Sequence, residues 1–471
     1  MPLNDIETIV VVIMENRSFD HLCGYLSLAS TPSPLPVEGL RDDLAWSGPL
    51  ANVFNGEAYP IHRLGPDIQT IDDPDHTQKS IAMQVGTPPA GGPPLEMGGF
   101  VQSYVTFAPP RKPPADRSLV MGCYDAAAAP VVDFFARNFA ICDHWFAALP
   151  LGTQANRLMA MSGVSSIVDN ASLFLPNQPL VYDWLTGNKV TWCAYQSGDW
   201  FPFFSLMPDW TSEIATSWTA SAVAGVRGHF RRFSRFAAEW ADNAMPMPQV
   251  VFIEPEYTDG PHTDPNDDHP PTGIAKGQAF LADVYNALVA NPQRWANTLM
   301  LVTYDEHGGF FDHVPPLPIP GAAGGADFAA TGVRVPAFVV SPHVAPGTVH
   351  SGPLDHTSIL RLLADRFTPG ADYSAAVAAR QQHLSRLAEM LVAPVQRAPE
   401  VAPVPLAATR TMAARTPAPA PNGAAPGDPP NAQALHGVAV KIAEDHPDLV
   451  AAPGWEHLRA YLAGAAQTKP A

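Results

Sequence analysis

Cysteine is scarce in this chain: four residues, Cys23, Cys123, Cys142 and Cys193, among 471. Their spacing fits neither a zinc ribbon nor a CxxC redox pair. A chain of this length can bury a large core without covalent staples, so free, buried thiols are expected. Long hydrophobic runs are also lacking. The first apolar run, Ile9 to Met14, falls far short of the roughly 20 residues that a membrane-spanning helix needs. The opening Met-Pro-Leu-Asn-Asp-Ile-Glu has no basic region ahead of an apolar one and does not read as a signal peptide. The chain as it stands therefore reads as cytoplasmic, or as exported if a signal segment is missing from it. Basic residues are outnumbered, 27 Lys and Arg against 45 Asp and Glu, for a formal net charge of −18. That balance argues against nucleic acid or an anionic membrane as the main partner, yet leaves room for a local positive pocket that holds a phosphate. No internal repeat is visible, and nothing in the composition speaks to oligomeric state.

Hydrophobic residues make up 46% of the chain and charged residues 15%, a globular composition. Thr8 to Met14 is a β-branched apolar run that reads as a buried strand. Similar runs lie at Gln249 to Ile253, Thr298 to Thr303 and Val335 to Ser341. Each ends in polar residues, which suggests a parallel sheet with ligands beyond the carboxyl ends of its strands. Helical spacing of apolar residues is found over Ala126 to Asn138 and Gly277 to Asn291, and a helix start over His356 to Phe367. From 394 to 430, ten of 37 residues are proline, a composition that forms no compact core and reads as a linker or strap. The division is thus a catalytic domain over 1–393, the Pro/Ala-rich stretch 394–430, and a short helical segment 431–471. Its two helical patterns, Ala432 to Asp445 and Trp455 to Ala463, are expected to pack on the main body.

Two polar clusters follow buried strands. Glu15-Asn16-Arg17-Ser18-Phe19-Asp20-His21 places a carboxylate and an amide carbonyl at a strand end, good donors for a hard divalent ion. Alone, that pair reads equally as a helix cap and a solvated acid. Thr303-Tyr304-Asp305-Glu306-His307-Gly308-Gly309 places two successive carboxylates at another strand end, costly unless a cation or hydrogen bonds compensate them. Gly308-Gly309 permits close backbone approach. Two such clusters in one chain favour a shared metal over two coincidences. Leu151-Gly152-Thr153-Gln154-Ala155-Asn156-Arg157 puts a threonine at a helix start, where backbone N–H groups attract phosphate and Asn156 and Arg157 supply further donors. The alternative is an ordinary threonine cap. Of His76, His262, His269, His313 and His356, His269 lies beside Asp267 and Asp268, an arrangement suited to protonating a leaving group. Five of the ten tryptophans fall between positions 184 and 218. They can cradle a quaternary ammonium, but packing is the favoured reading.

Taken together, Val-Val-Ile-Met-Glu-Asn-Arg-Ser-Phe-Asp-His (11–21), Thr-Tyr-Asp-Glu-His-Gly-Gly-Phe-Phe-Asp-His-Val (303–314), Asp-His-Thr-Ser-Ile-Leu-Arg (355–361) and Asp75-His76 followed by Met97-Gly98-Gly99-Phe100 resemble the phosphoesterase family of bacterial phosphatidylcholine-type phospholipases C and related acid phosphatases. The resemblance runs from about Ile6 to about Phe367. It implies a three-layer α/β/α sandwich with a mainly parallel sheet, related to alkaline phosphatase, to which the aromatic-rich segment would add a small cap. It implies a hydrolase of phosphoric esters, either a phospholipase C or an acid phosphatase on small monoesters. A silent binder of phosphorylated ligands is the alternative from another class. By the same resemblance Glu15, Asn16, Thr153, Asp305 and Glu306 bind the metal, and Thr153 is the nucleophile. His76, His269 and His313 line the phosphate or protonate the leaving group, Asp268 orients His269, and Asn156, Arg157 and His356 contact substrate. Oxygen ligands favour Ca2+, with Zn2+ possible if a histidine joins them. One segment departs from the family's Gly-Pro-Thr-x-Pro-Asn-Arg at three positions: Leu151 stands where glycine is usual, Gly152 where proline is, and Ala155 replaces the second proline.

Overall fold

The computed structural model describes residues 2–68, 70–86, 96–107, 114–198, 200–224, 228–260, 265–392, 400–403, 430–451 and 455–467. Eight strands form the central sheet: β1 (Thr8–Met14), β2 (Ala140–Cys142), β3 (Trp192–Gln196), β4 (Phe230–Arg232), β5 (Val250–Glu254), β6 (Thr298–Tyr304), β7 (Ala337–Val340) and β8 (Thr348–His350). Their order across the sheet is β8-β2-β7-β6-β1-β5-β3-β4. All run parallel except β7, which is antiparallel to both neighbours, β6 and β2. The sheet is mainly parallel, as expected, and of the four runs read as strands only that at Val335 to Ser341 runs the other way. The run around Val335 carries the same buried pattern as the others, and burial on both faces does not encode direction.

Every residue of β1 and β6 is buried, so both faces of the sheet are covered. Val12 pairs with Val302, and Val302 with Phe338, which puts these three on one face. Phe135 of α2 (Pro130–Asn138) meets Phe338 there and also Tyr285 of α5 (Ile274–Val289). On the opposite face Val11 and Ile13 share a small cavity with Arg157 and Met161 of α3 (Thr153–Ser162), and α6 (Thr357–Phe367) packs on α3. The result is the expected three-layer α/β/α sandwich. Each fully buried Ile or Val of β1 contributes about 1.5–3 kcal/mol over leaving it in water, which explains why the sheet's centre is the longest apolar run of the chain.

Helix boundaries follow local chemistry. The pattern over 126–138 becomes helical only at Pro130, because the residue before a proline is kept out of the α region; Ala129 has φ −119° and ψ 59°. The pattern that began at Gly277 instead starts at Ile274. Gly277 sits inside the helix because a Cβ there would lie 1.9 Å from Asp268 Oδ1. The C-terminal helices α7 (Pro430–Asp445) and α8 (Glu456–Gln467) pack on the main body, with Val438 and Ile442 fully buried and Trp455 against Phe201 and Trp218. All but 400–403 and 430 of the Pro/Ala-rich stretch 394–430 lies outside the described residues. The four cysteines are free and buried. No helix among the described residues is long and apolar enough to cross a membrane.

Candidate active site at the strand ends

β1 and β6 lie side by side, so the polar residues that follow them come together. Asp305 N–H donates to Met14 O at 3.0 Å, and Glu15 N–H donates to Asp267 O at 2.9 Å. Asn16, with φ 60°, is in the left-handed region that asparagine tolerates. The turn aims its N–H at Asp305 Oδ1 at 3.1 Å, an oxygen that also accepts from Glu306 N–H at 2.7 Å. Gly308 is required here, since a Cβ on it would stand 2.2 Å from Asn16 O. Its N–H donates to Glu306 Oε2 at 2.7 Å. Glu15, Asn16, Asp305 and Glu306 are all buried.

Helix α3 brings the threonine segment to the same place. Gly152 packs on His76, whose carbonyl oxygen would lie 3.2 Å from a Cβ there. One turn on, Arg157 Nη2 reaches Glu15 Oε1 at 3.1 Å and Arg157 Nε lies 3.6 Å from Asp305 Oδ2. Thr153 is held between these two anchors, in the helix's first turn. Thr153 is the first residue of the helix.

Four side-chain oxygens at this junction are buried without a hydrogen-bond partner: Asn16 Oδ1, Thr153 Oγ1, Asp305 Oδ2 and Glu306 Oε1. Burying one unpaired polar atom costs about 1–3 kcal/mol, and native proteins rarely leave several together. Oxygen donors of this kind, two of them carboxylate, suit a hard divalent cation. The electrostatics agree. Burial, with Asp305 alongside, pushes the Glu15 carboxyl well above the usual range. Burial also raises Asp305 to about 6 despite Arg157. In Glu306 burial is outweighed by His76 and His307, and its pKa falls.

The histidines divide. His76 Nε2 lies 3.5 Å from Asn16 Nδ2 and 4.0 Å from Glu306 Oε1, and its ring is 5.8 Å from that of His269. Burial opposes charge on His76, but Glu306 and Asp73 prevail and raise it to about 10. His269 is likewise raised against burial, by Asp73, Asp259 and Asp267. Its Nδ1 faces Pro270 O. Asp268 does not orient it. Asp268 Oδ2 accepts from Tyr304 O–H at 2.6 Å, while Asp267 Oδ1 accepts from the His269 backbone N–H at 3.1 Å. The left-handed backbone at Asp268, φ 75°, turns its side chain away from the histidine. His313 joins a different cluster, its Nδ1–H donating to Asp20 Oδ2 at 2.7 Å. His356 sits behind Asp305: Nε2 donates to Asp305 O at 2.6 Å, Nδ1 accepts from Trp145 Nε1–H at 3.1 Å, and burial lowers it to about 4. Both of its nitrogens are used, so it has no atom to offer a substrate. Asn156 is similarly occupied. Its Oδ1 accepts from Leu149 N–H and its Nδ2 donates to Leu151 O at 2.6 Å, which ties down the loop before Thr153. His262 lies outside the described residues.

Asp20, Asp312 and His313 offer potential metal-ligand atoms within 4.8 Å of one another. Arg334, invisible as a partner in the sequence, bonds both aspartates, at 3.1 and 2.9 Å. Asp73, with a buried partnerless Oδ1, and Tyr257, which accepts from Arg157 Nη1 at 3.1 Å, were also missed. Asp73 was within reach of sequence reasoning, three residues ahead of His76; Tyr257 carried no local signal.

The aromatic segment is packing, as favoured. It flanks the β3–β4 edge of the sheet. Trp192 stacks between Tyr182, at 4.4 Å, and His229, at 4.0 Å. Phe201 stacks on Trp218, which also meets Trp455 and has the Arg232 guanidinium 3.7 Å from its ring centre. At Trp218 a protein cation already lies over the ring.

A model of the Phosphoesterase family matches residues 6–368. The chain is 32% identical over 372 residues to non-specific phospholipase C1 of Arabidopsis thaliana, covering 75% of this chain and 64% of that protein. It is 29% identical over 408 residues to phospholipase C B of Mycobacterium tuberculosis, covering 78% and 74%. It thus spans somewhat under two thirds of the plant relative's length. Among solved structures, a protein in the alkaline phosphatase superfamily from Vibrio parahaemolyticus overlaps 54% of this chain and 63% of its own, at 10% identity and a TM-score of 0.33, an overlap too loose to carry an argument.

Proposed function

The chain belongs to the Phosphoesterase family, and from that premise we propose that it is a metal-dependent phosphoric ester hydrolase of the phospholipase C type with Thr153 as nucleophile. The observation that carries the reading is the set of four partnerless buried oxygens on Asn16, Thr153, Asp305 and Glu306. Glu15, Asn16, Thr153, Asp305 and Glu306 would hold a divalent cation, which would supply positive charge favouring the threonine alkoxide and the charge on a phosphoryl group. Thr153, fixed by the start of α3, attacks phosphorus in line with the leaving oxygen and becomes phosphothreonine. His76, cationic beside Glu306 and Asp73, donates to a non-bridging oxygen. His269, its Nδ1 held by Pro270 O, presents Nε2 to protonate the departing alcohol as its P–O bond breaks; the neutral imidazole then takes a proton from the water that attacks the phosphothreonine, releasing the phosphate product and restoring the Thr153 alkoxide. The relatives' names, not the tryptophans, support a diester over a monoester.

The test is a paired assay on metal-analysed protein, with p-nitrophenyl phosphorylcholine and p-nitrophenyl phosphate as substrates. Turnover favouring the phosphorylcholine ester, lost on chelation and restored by a divalent cation, is expected. Preference for the monoester would replace the phospholipase reading with that of an acid phosphatase. Cation binding without turnover of either ester would leave a phospholigand-binding protein.

A further inference from the structure

Arg157 was expected to meet the substrate, and its surroundings point elsewhere. It is 2% exposed; Nη1 and Nη2 donate to protein acceptors, and Nε makes no hydrogen bond but faces the Asp305 carboxylate as an ion pair. Nη2 donates to Glu15 Oε1 and Ile13 O, both at 3.1 Å; Nη1 donates to Tyr257 Oη at 3.1 Å; Nε lies 3.6 Å from Asp305 Oδ2. The rings of Phe203 and Tyr257 lie 5.2 and 5.3 Å from its central carbon, within cation–π range. That aromatic box is itself anchored. Glu254, at the end of β5, accepts from Tyr257 O–H at 2.8 Å and from Phe203 N–H at 2.6 Å through the same Oε2. A guanidinium clamped on five sides has no freedom to follow a phosphoryl group through a reaction.

We infer that Arg157 is a positioning residue, a built-in counter-ion that holds Glu15 and Asp305 in place as metal ligands whether or not the ion is bound. The inference rests on the metal-site reading above and adds a role for Tyr257, Phe203 and Glu254, which fix the guanidinium from a third strand end. Two buried carboxylates side by side repel each other unless a cation lies between them. Arg157 supplies that cation permanently, so the ligand set is formed before the metal arrives. Its removal harms the metal-free protein more than the metal-loaded one, because a bound ion takes over the compensation.

The experiment compares thermal unfolding of metal-stripped and metal-loaded protein, with calcium, magnesium and zinc chlorides tried on the wild type to choose the ion. Arg157→Gln is expected to widen the gap between the two midpoints by at least about 2 °C. Its inhibition constant for inorganic phosphate stays within about twofold of wild type while kcat falls at least about tenfold. Tyr257→Phe, which removes one support and leaves the charge, shifts the gap in the same direction by less, and serves if Arg157→Gln does not fold. An unchanged gap in a folded variant, or phosphate inhibition weakened about tenfold or more, overturns the inference and returns Arg157 to structure or to substrate. A wild type stabilised by none of the ions sinks the metal reading itself and this inference with it.

Discussion

Two buried acidic clusters grow from the same stretches of sequence, and they end differently. Asp20, Asp312 and His313 form a knot around Arg334 in which every carboxylate oxygen is taken. Asp20 accepts from Arg334 and His313, and Asp312 from Arg334 Nε, Val314 N–H and Asp20 N–H. At the strand ends, by contrast, Asp305 Oδ2 and Glu306 Oε1 have no hydrogen-bond partner, and Asn16 Oδ1 and Thr153 Oγ1 join them. A fully satisfied acid cluster is a structural element. One with several oxygens left open in a dry setting has kept its donors for something outside the chain. Ligand-type residues close in space, as in the knot, are therefore a weaker sign of a metal than oxygens without partners.

The sharpest way to break the comparison is Thr153→Ala. It should cut turnover at least about a thousandfold while leaving the circular dichroism spectrum and unfolding midpoint near wild type; activity within tenfold of wild type would remove the nucleophile. The knot should show the reverse. Arg334→Met leaves two buried carboxylates uncompensated and should cost about 3–5 kcal/mol in chemical denaturation, with metal content of the folded protein unchanged. Loss of bound metal at constant stability would mean that the knot, not the strand ends, holds the ion.

A smaller effect separates Asp268 from both clusters. Burial raises its carboxyl to about 7, against the Tyr304 hydrogen bond and Arg17. The unfolded chain releases this proton near pH 4 and the folded chain only near 7, so stability falls as pH rises across that window and levels off above it. Asp268→Asn should flatten the slope and stabilise the protein at pH 8 by roughly 1–3 kcal/mol. A pH–stability curve parallel to wild type would show that Asp268 is ionised in the fold.

Much of this was legible beforehand where the signal is local. β1 was read to the residue, because a run of β-branched apolar side chains has few other uses. The meeting of Glu15, Asn16, Asp305 and Glu306 was legible because acids that directly follow buried strands are costly, and two such sites invite one explanation. Long-range partners were not legible. His356, Asn156 and Asp268 are polar residues in suggestive motifs, yet their atoms are spent on Asp305 O, on the backbone of 149–152 and on Tyr304. Nothing in a linear string tells how many lone pairs remain free.

The sequence by itself determined the apolar runs that become the sheet, the polar residues that stand at their ends, and the packing role of the aromatic segment, since each depends on side-chain chemistry over a few neighbouring positions. Only the tertiary structure decided that β7 runs antiparallel, that Arg157 lies between Glu15 and Asp305, and that Arg334 closes one acid cluster while the other stays open. Those outcomes depend on which residues, often more than a hundred positions apart, compete for the same hydrogen-bonding atoms once the strands are side by side.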